Sequence, residues 1–212
     1  MTITNGYCTL QQFVDELDAP SAGSTAADTT VMEQCIEDAS RDIDGYCGRR
    51  FFTAADTVYL DYPDPYDTAL WFSDDINAVY SLTNGDGASI ASTGYVLWPR
   101  NALAKAAIVA TGTTTWAASP TGETIGVISA SANVGYVNRA ASVGSIASNA
   151  KSIQVINSTR RACLKLAAAY YRQRKPGAGG EAAQVTAAGV VLVPQGMPKD
   201  VTQILAPYVR YW

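Results

Sequence analysis

The sequence predicts an α+β fold: a helical bundle of three to four helices with an inserted antiparallel β subdomain and an extended C-terminal tail. Three observations predict it. Apolar residues recur at helical spacing near both ends of the chain. Between them, from Thr53 to Ala150, the composition turns to Thr, Val, Tyr, Ser and Gly, which suits strands and turns. Residues 176–197 are then rich in Pro, Gly and Ala and precede a last short apolar pattern. The order helix, helix, strands, helix, tail segregates strands from helices, as in α+β proteins. It divides the chain into N-terminal helices (1–52), a β insertion (53–150), a long helix completing the bundle (151–175) and a linker with a tail segment (176–212).

The first helix starts at Thr9, which forms a capping box with Gln12. Leu10, Phe13, Val14 and Leu17 supply its apolar face, and Pro20, Ser21, Gly23 and Ser24 end it. Thr30 and Glu33 repeat the capping spacing and are expected to open the second helix. Val31, Cys35, Ile36, Ala39, Ile43, Tyr46 and Cys47 share its apolar face, Glu33, Glu37 and Asp44 the opposite one, and Gly48 is a stop signal.

In the β region, Asn84-Gly85-Asp86-Gly87 marks a hairpin between Val79–Leu82 and a short run around Ile90. Tyr95–Trp98, closed by Pro99, reads as a strand. Ala106–Ala110, Gly126–Ser129 and Val134–Val137 read as others. A long helix returns near Ile153 or Ser158. It carries Ile156, Cys163, Leu164, Ala167, Tyr170 and Tyr171 on one face and Arg161, Lys165 and Arg172 on the other. Arg160 falls toward the apolar side and there requires either a specific partner or a later helix start. Lys175-Pro176-Gly177 ends this helix. One apolar run, Val190–Val193, interrupts the linker. Pro198 then suits the first position of a final helix with Val201, Ile204, Leu205, Tyr208 and Val209 as apolar positions. Pro207 kinks or ends it.

Composition excludes several function classes. The 212 residues contain no histidine, which removes the commonest general base and the commonest metal ligand. A net charge of −4 provides no broad basic field for wrapping nucleic acid. Only 16% of residues are charged, against about a quarter in ordinary soluble domains. A surface partly covered by other subunits accounts for such a deficit. The four cysteines form no C-x-x-C pair, and Cys35, Cys47 and Cys163 sit on apolar helical faces as core residues. No signal peptide is expected, and no run approaches the ~18 apolar residues of a membrane span. No nucleotide-binding or nucleophile motif is present. Asp61, Asp64, Asp67, Asp74 and Asp75 lack the spacing of a calcium loop and read as a solvated acidic loop. No cofactor or metal is expected, nor any catalytic residue.

Two charge stripes are more informative. Glu33, Glu37 and Asp44 have spacing i, i+4, i+11, and Arg161, Lys165 and Arg172 repeat it on another helix. They are either two solvated faces or the two halves of a head-to-tail contact between neighbouring copies in a ring. The basic stripe offers a further possibility, contact with DNA phosphates.

The motifs, in their order, resemble the head–tail connector proteins of long-tailed bacteriophages. The carriers are the opening Tyr7-Cys8-Thr9-Leu10 and the helix from Ile36 through Asp44-Gly45-Tyr46-Cys47-Gly48-Arg49-Arg50-Phe51. They continue with Val79 to Gly87 followed by Tyr95-Val96-Leu97-Trp98-Pro99, the helix Ala162–Ala167 through Tyr170-Tyr171-Arg172-Gln173-Arg174, and Pro198-Lys199-Asp200-Val201 to Tyr208. Residues 111–150 and 176–197 lie outside the resemblance. It implies a virion protein at the head–tail interface, assembled in the bacterial host cytoplasm. It further implies a dodecameric ring of copies between the portal protein and a tail-side stopper or tail completion protein, with DNA passing through and no membrane involved. Portal contact would fall on Val201, Ile204, Leu205, Tyr208, Arg210, Tyr211 and Trp212, and Tyr, Trp and Arg are favoured interface anchors. The stripes Glu33, Glu37, Asp44 and Arg161, Lys165, Arg172 would serve subunit contact. Two readings compete: an accessory tail or baseplate protein that binds a host glycan through Trp71, Trp98 and Trp116, and a hydrolase using the Asp61–Asp75 cluster.

Overall fold

In the computed structural model, the described residues are 3–17, 25–64, 66–137, 150–174, 184–185, 191–192 and 196–210. They show a mixed α+β protein with helices and an antiparallel sheet. By its internal contacts the chain divides into a helical unit, Met1–Gly48 with Ala141–Trp212, and a β unit, Arg49–Ala140.

The helical unit holds α1 (Leu10–Leu17), α2 (Ala26–Cys47), α3 (Ala150–Arg174), α4 (Lys199–Leu205) and a 3-10 turn, Ala206–Tyr208. The capping box of α1 is formed: Thr9 N donates to Gln12 Oε1 and Gln12 N to Thr9 Oγ1, each at 3.1 Å. The second helix begins earlier than its sequence pattern predicts. Thr25, not Thr30, is the cap, its hydroxyl accepting from Asp28 N at 3.1 Å. The Thr30 hydroxyl instead bonds back to Ala26 O inside the helix. Gly48 ends α2 in the left-handed conformation at φ 62°, its N–H reaching Asp44 O. Phe13, Met32, Cys35, Ile36, Ala39, Ile43, Leu166 and Ala167 form the buried interior. Tyr46 departs from its expected place and is 41% exposed.

α3 starts at Ala150, ahead of both anticipated starts. Pro198 lies just before α4 rather than at its first turn, and Pro207 falls in the 3-10 turn that ends it. Gln184–Val185 (which become β7 in chain order) and Val191–Leu192 (β8) pair as a two-stranded ladder inside the stretch read as linker.

The β unit contains β1 (Ala54–Leu60), β2 (Ala69–Thr83), β3 (Ser89–Ile90), β4 (Tyr95–Trp98), β5 (Lys105–Ala110) and β6 (Ile128–Val134). They pair in the order β1-β6-β2-β5-β4, with β3 on β2, all antiparallel. The Asn84–Gly87 hairpin is present, with Leu82 opposite Ile90. Asn84 is buried and holds the turn: its amide donates to Thr115 O and its carbonyl accepts from Ala117 N at 2.9 Å. Two elements differ from expectation. β2 runs 15 residues with register shifts, because its alternation is broken by Ser73, Asp74 and Asp75. A single strand, β6, replaces the two expected around Gly126–Ser129 and Val134–Val137.

Alternation sets the sheet's faces. Leu60, Leu70, Phe72, Leu82, Ile108, Ile128 and Ala130 line the buried side, joined by Trp116, whose indole N–H donates to Thr68 O at 3.0 Å.

Candidate assembly surfaces

Two members of the acidic stripe of α2, Glu37 and Asp44, are bonded by the chain's own N-terminal segment. Thr4 N and Asn5 N both donate to the Glu37 carboxylate, and the Tyr7 hydroxyl donates to Asp44. Arg41 adds an ion pair to Asp44 at 3.2 Å and a hydrogen bond to Asn5 O at 3.0 Å. Glu33 and Glu37 are half-buried, and only 14% of the Asp44 side chain is exposed. The stripe, read as either a solvated face or a subunit contact, is thus partly covered at Glu37 and Asp44. The polar residues 3–8 carry no periodicity that would reveal where they lie.

The basic stripe of α3 is divided. Arg161 and Arg172 are exposed, whereas Lys165 is paired with Asp200 of α4. The hydrogen bond from Lys165 is the main influence holding the Asp200 carboxyl below its ordinary range. Arg174 pairs with Asp38 at 2.7 Å. Tyr170 donates to Asp42, and burial together with that bond pushes its phenol well above the ordinary value. Arg160 is half-buried with its Nε enclosed and without a hydrogen-bond partner among the described residues.

In the C-terminal segment, Val201 and Leu205 are fully buried in the helical unit. Their burial assigns them to anchoring α4. Ile204 is half-buried, the Tyr208 hydroxyl bonds Ser158 Oγ at 3.2 Å, and Arg210 N donates to Cys47 O at 2.9 Å. Tyr211 and Trp212 lie outside the described residues.

The sheet's other side carries an aromatic row. Trp71 and Trp98 are both cross-strand partners of Ala107, so all three point the same way. The indoles are 60% and 48% exposed and meet edge to face with centroids 5.7 Å apart. A cleft of about 310 Å³ beside Trp71 is lined by Tyr59, Tyr62, Asp61 and Asp67. Trp116, expected to share such a surface, is in the core.

The aspartates from 61 to 75 do not act as one cluster. Asp61 accepts from Gly126 N at 2.7 Å, Asp67 from Ala69 N at 2.9 Å, and Asp75 lies 3.5 Å from Arg49. Arg49 also stacks on Tyr136, 4.3 Å from its centroid. Among the described residues no group of His, Cys, Asp or Glu is placed to hold a metal, and no helix is long and apolar enough to cross a membrane.

No protein-family model matches the chain, and no curated protein sequence matches it. Solved structures do share its fold. Among them are chains from structures of gene transfer agent particles. One belongs to the neck of an empty gene transfer agent particle computed with C6 symmetry, with TM-score 0.58 and 17% identity, covering 100% of this chain and 95% of that one. A second belongs to the virion of a native gene transfer agent particle (TM-score 0.56, 18% identity, 100% and 95% covered). A third belongs to the neck of the native particle computed with C12 symmetry (TM-score 0.52, 17% identity, 100% and 98% covered).

Proposed function

We propose that this chain is a structural virion protein, a head–tail adaptor that forms a ring beneath the portal, joins capsid to tail and lets DNA pass. One observation carries the reading: the fold corresponds over the whole chain to chains in gene transfer agent particle structures, two of them structures of the neck. The motif order resembling head–tail connectors supports it independently. In this reading the helices form a bundle interrupted by the β insertion, and the role is mechanical, without catalysis or cofactor. The C6 and C12 symmetries of the similar neck structures support a ring of copies, twelve in our reading. Its partners are the portal, a tail-side stopper or tail completion protein, and further copies of itself. Assembly takes place in the host cytoplasm. A net charge of −4 suits a conduit that DNA slides through without sticking.

The proposed contacts follow the placement of the residues. Arg161 and Arg172 are the accessible part of the α3 stripe for a neighbouring copy. Glu33 contributes to that contact directly, and Glu37 and Asp44 through the N-terminal segment bonded to them. Val201 and Leu205 root α4, leaving Ile204, Tyr208, Arg210, Tyr211 and Trp212 to meet the portal.

Electron microscopy of particles lacking the gene tests the reading. DNA-filled or leaking heads beside free tails are expected. Fully tailed particles that fail only to adsorb would refute it. That outcome would favour the second reading, a glycan-binding accessory of the tail or baseplate. The cleft flanked by Tyr59 and Trp71, with Asp61 and Asp67 at hand, supports this alternative. Binding of the isolated chain to a glycan array, lost in Trp71→Ala, would establish it.

A further inference from the structure

Cys8 and Cys163 lie far apart in sequence and meet in the interior. Their sulfurs are 3.5 Å apart, across a separation of 155 residues, and both side chains are fully buried. Ser40 fixes the surroundings: its hydroxyl donates to Ile36 O at 2.6 Å, accepts from Tyr7 N at 3.0 Å, and lies 3.4 Å from the Cys163 sulfur. Bond formation requires the two sulfurs to close from this distance to about 2.05 Å by side-chain rotation.

We propose that Cys8 and Cys163 are a disulfide-forming pair, reduced while the chain is made and oxidised in the released particle, where the bond staples the N-terminal segment to α3. The placement of that bond in a particle outside the cell rests on the proposed function; the chemistry of the pair does not. Disulfides persist on virions and other extracellular surfaces and are rare in the cytosol.

The two sulfurs differ in how they become reachable. Cys8 lies in the non-helical segment before α1, and residues 4, 5 and 7 of that segment are held by side chains of α2. Such a segment opens locally at a cost below that of global unfolding. Cys163 sits in the middle of α3 and stays in place. The Cys8 thiolate therefore attacks a small-molecule disulfide such as oxidised glutathione first. One thiol leaves and a mixed disulfide remains on Cys8. While the segment is still open, the Cys163 thiolate displaces the second thiol, and the segment then closes. The balance is one small disulfide reduced to two thiols and two protein thiols oxidised to one disulfide.

The other cysteines do not compete with each other. Cys35 and Cys47 stand 12 positions apart on α2. At ~1.5 Å per residue that separation is about 18 Å, far beyond the reach of a disulfide.

The test uses the full chain, purified reduced, freed of reductant and incubated with oxidised glutathione. One incubation includes urea just below the unfolding transition, so that the segment opens. Alkylation in denaturant and peptide mass mapping then read the result. Two of the four thiols are expected to vanish, in a single linked pair of peptides containing Cys8 and Cys163. The Cys35→Ala/Cys47→Ala chain keeps that product, and either Cys8→Ala or Cys163→Ala abolishes it. The oxidised chain melts higher by on the order of 5–10 °C, and reductant reverses the gain. Four persisting thiols under both conditions, a bridge to Cys35 or Cys47, or cross-linked dimers instead would each overturn the proposal. The assay contains no portal and no particle, so its failure leaves the adaptor reading untouched, and failure of the adaptor reading would remove only the placement of the bond in a particle, not the pair's chemistry.

Discussion

The Tyr171 hydroxyl donates to the Asp28 carboxylate at 2.8 Å, joining α3 to the first turn of α2 in the buried part of the helical unit. The pair shows why α2 starts where it does. Asp28 is needed inside the helix as an acceptor, so the helix must reach back to Thr25. Tyr171→Phe removes this donor from the buried carboxylate. We expect a loss of about 1–3 kcal/mol in urea denaturation. A loss below ~0.5 kcal/mol would show that the pair contributes little.

Gly135 provides a steric test of the β unit. Its φ is 136°, and a Cβ placed there would lie 2.0 Å from Phe52 O. Gly87, at φ 83°, has open space around it. Gly135→Ala is expected to cost about 3 kcal/mol or more, and Gly87→Ala only about 1 kcal/mol. Thermal denaturation of the two variants side by side checks the ordering.

The Lys105 ammonium gathers the turn after β4. It donates to the carbonyls of Pro99, Arg100 and Ala102 at 3.0, 2.8 and 2.8 Å. Lys105→Met leaves all three without this donor, and a destabilisation of about 1–2 kcal/mol is expected by denaturant titration.

The Lys165–Asp200 pair makes α4 docking sensitive to acid. The Asp200 carboxyl is lowered in the folded state. Its contribution is therefore complete above the unfolded carboxylate value of ~3.9 and is lost as pH falls through the lower folded value. Wild type and Asp200→Asn should differ in stability at pH 7 and converge as the pH falls below the ordinary carboxylate range. A constant difference would show that the pair does not titrate as described.

Charge reversal separates assembly from folding. Arg161 and Arg172 are exposed, so Arg161→Glu/Arg172→Glu should leave circular dichroism and Tm unchanged while reducing ring formation on added portal protein. Lys165→Glu should lower stability as well, because it sets two negative charges together at Asp200. Undiminished rings in the double variant would remove these arginines from the contact.

The sequence was most legible where one residue controls local geometry. Thr9 with Gln12, Gly48 and the Asn84–Gly87 turn each did what its chemistry dictates, and Tyr95–Trp98 is a strand between the expected limits. It was least legible where tertiary partners decide. β1 carries exposed Asp56 and Tyr59 and becomes a strand by pairing with β6. The alanines of β6 carry little strand preference and are buried in the sheet. Among the candidate site residues, the helical faces of Glu37, Asp44, Val201 and Leu205 were readable from spacing. What covers those faces was not, because the N-terminal segment is irregular and α4 packs on a helix from elsewhere in the chain.

The division of the chain has a consequence for biosynthesis. α2 ends at Cys47 and α3 begins at Ala150, so about a hundred residues emerge between them. At ~5–20 residues per second, the apolar face of α2 waits roughly 5–20 s for its long partner helix. The sheet's strands all lie within Arg49–Ala140, so the sheet can close during that interval. Until then Met32, Ile36 and Ile43 stand open on the nascent chain, and this interval is when the protein most needs a chaperone.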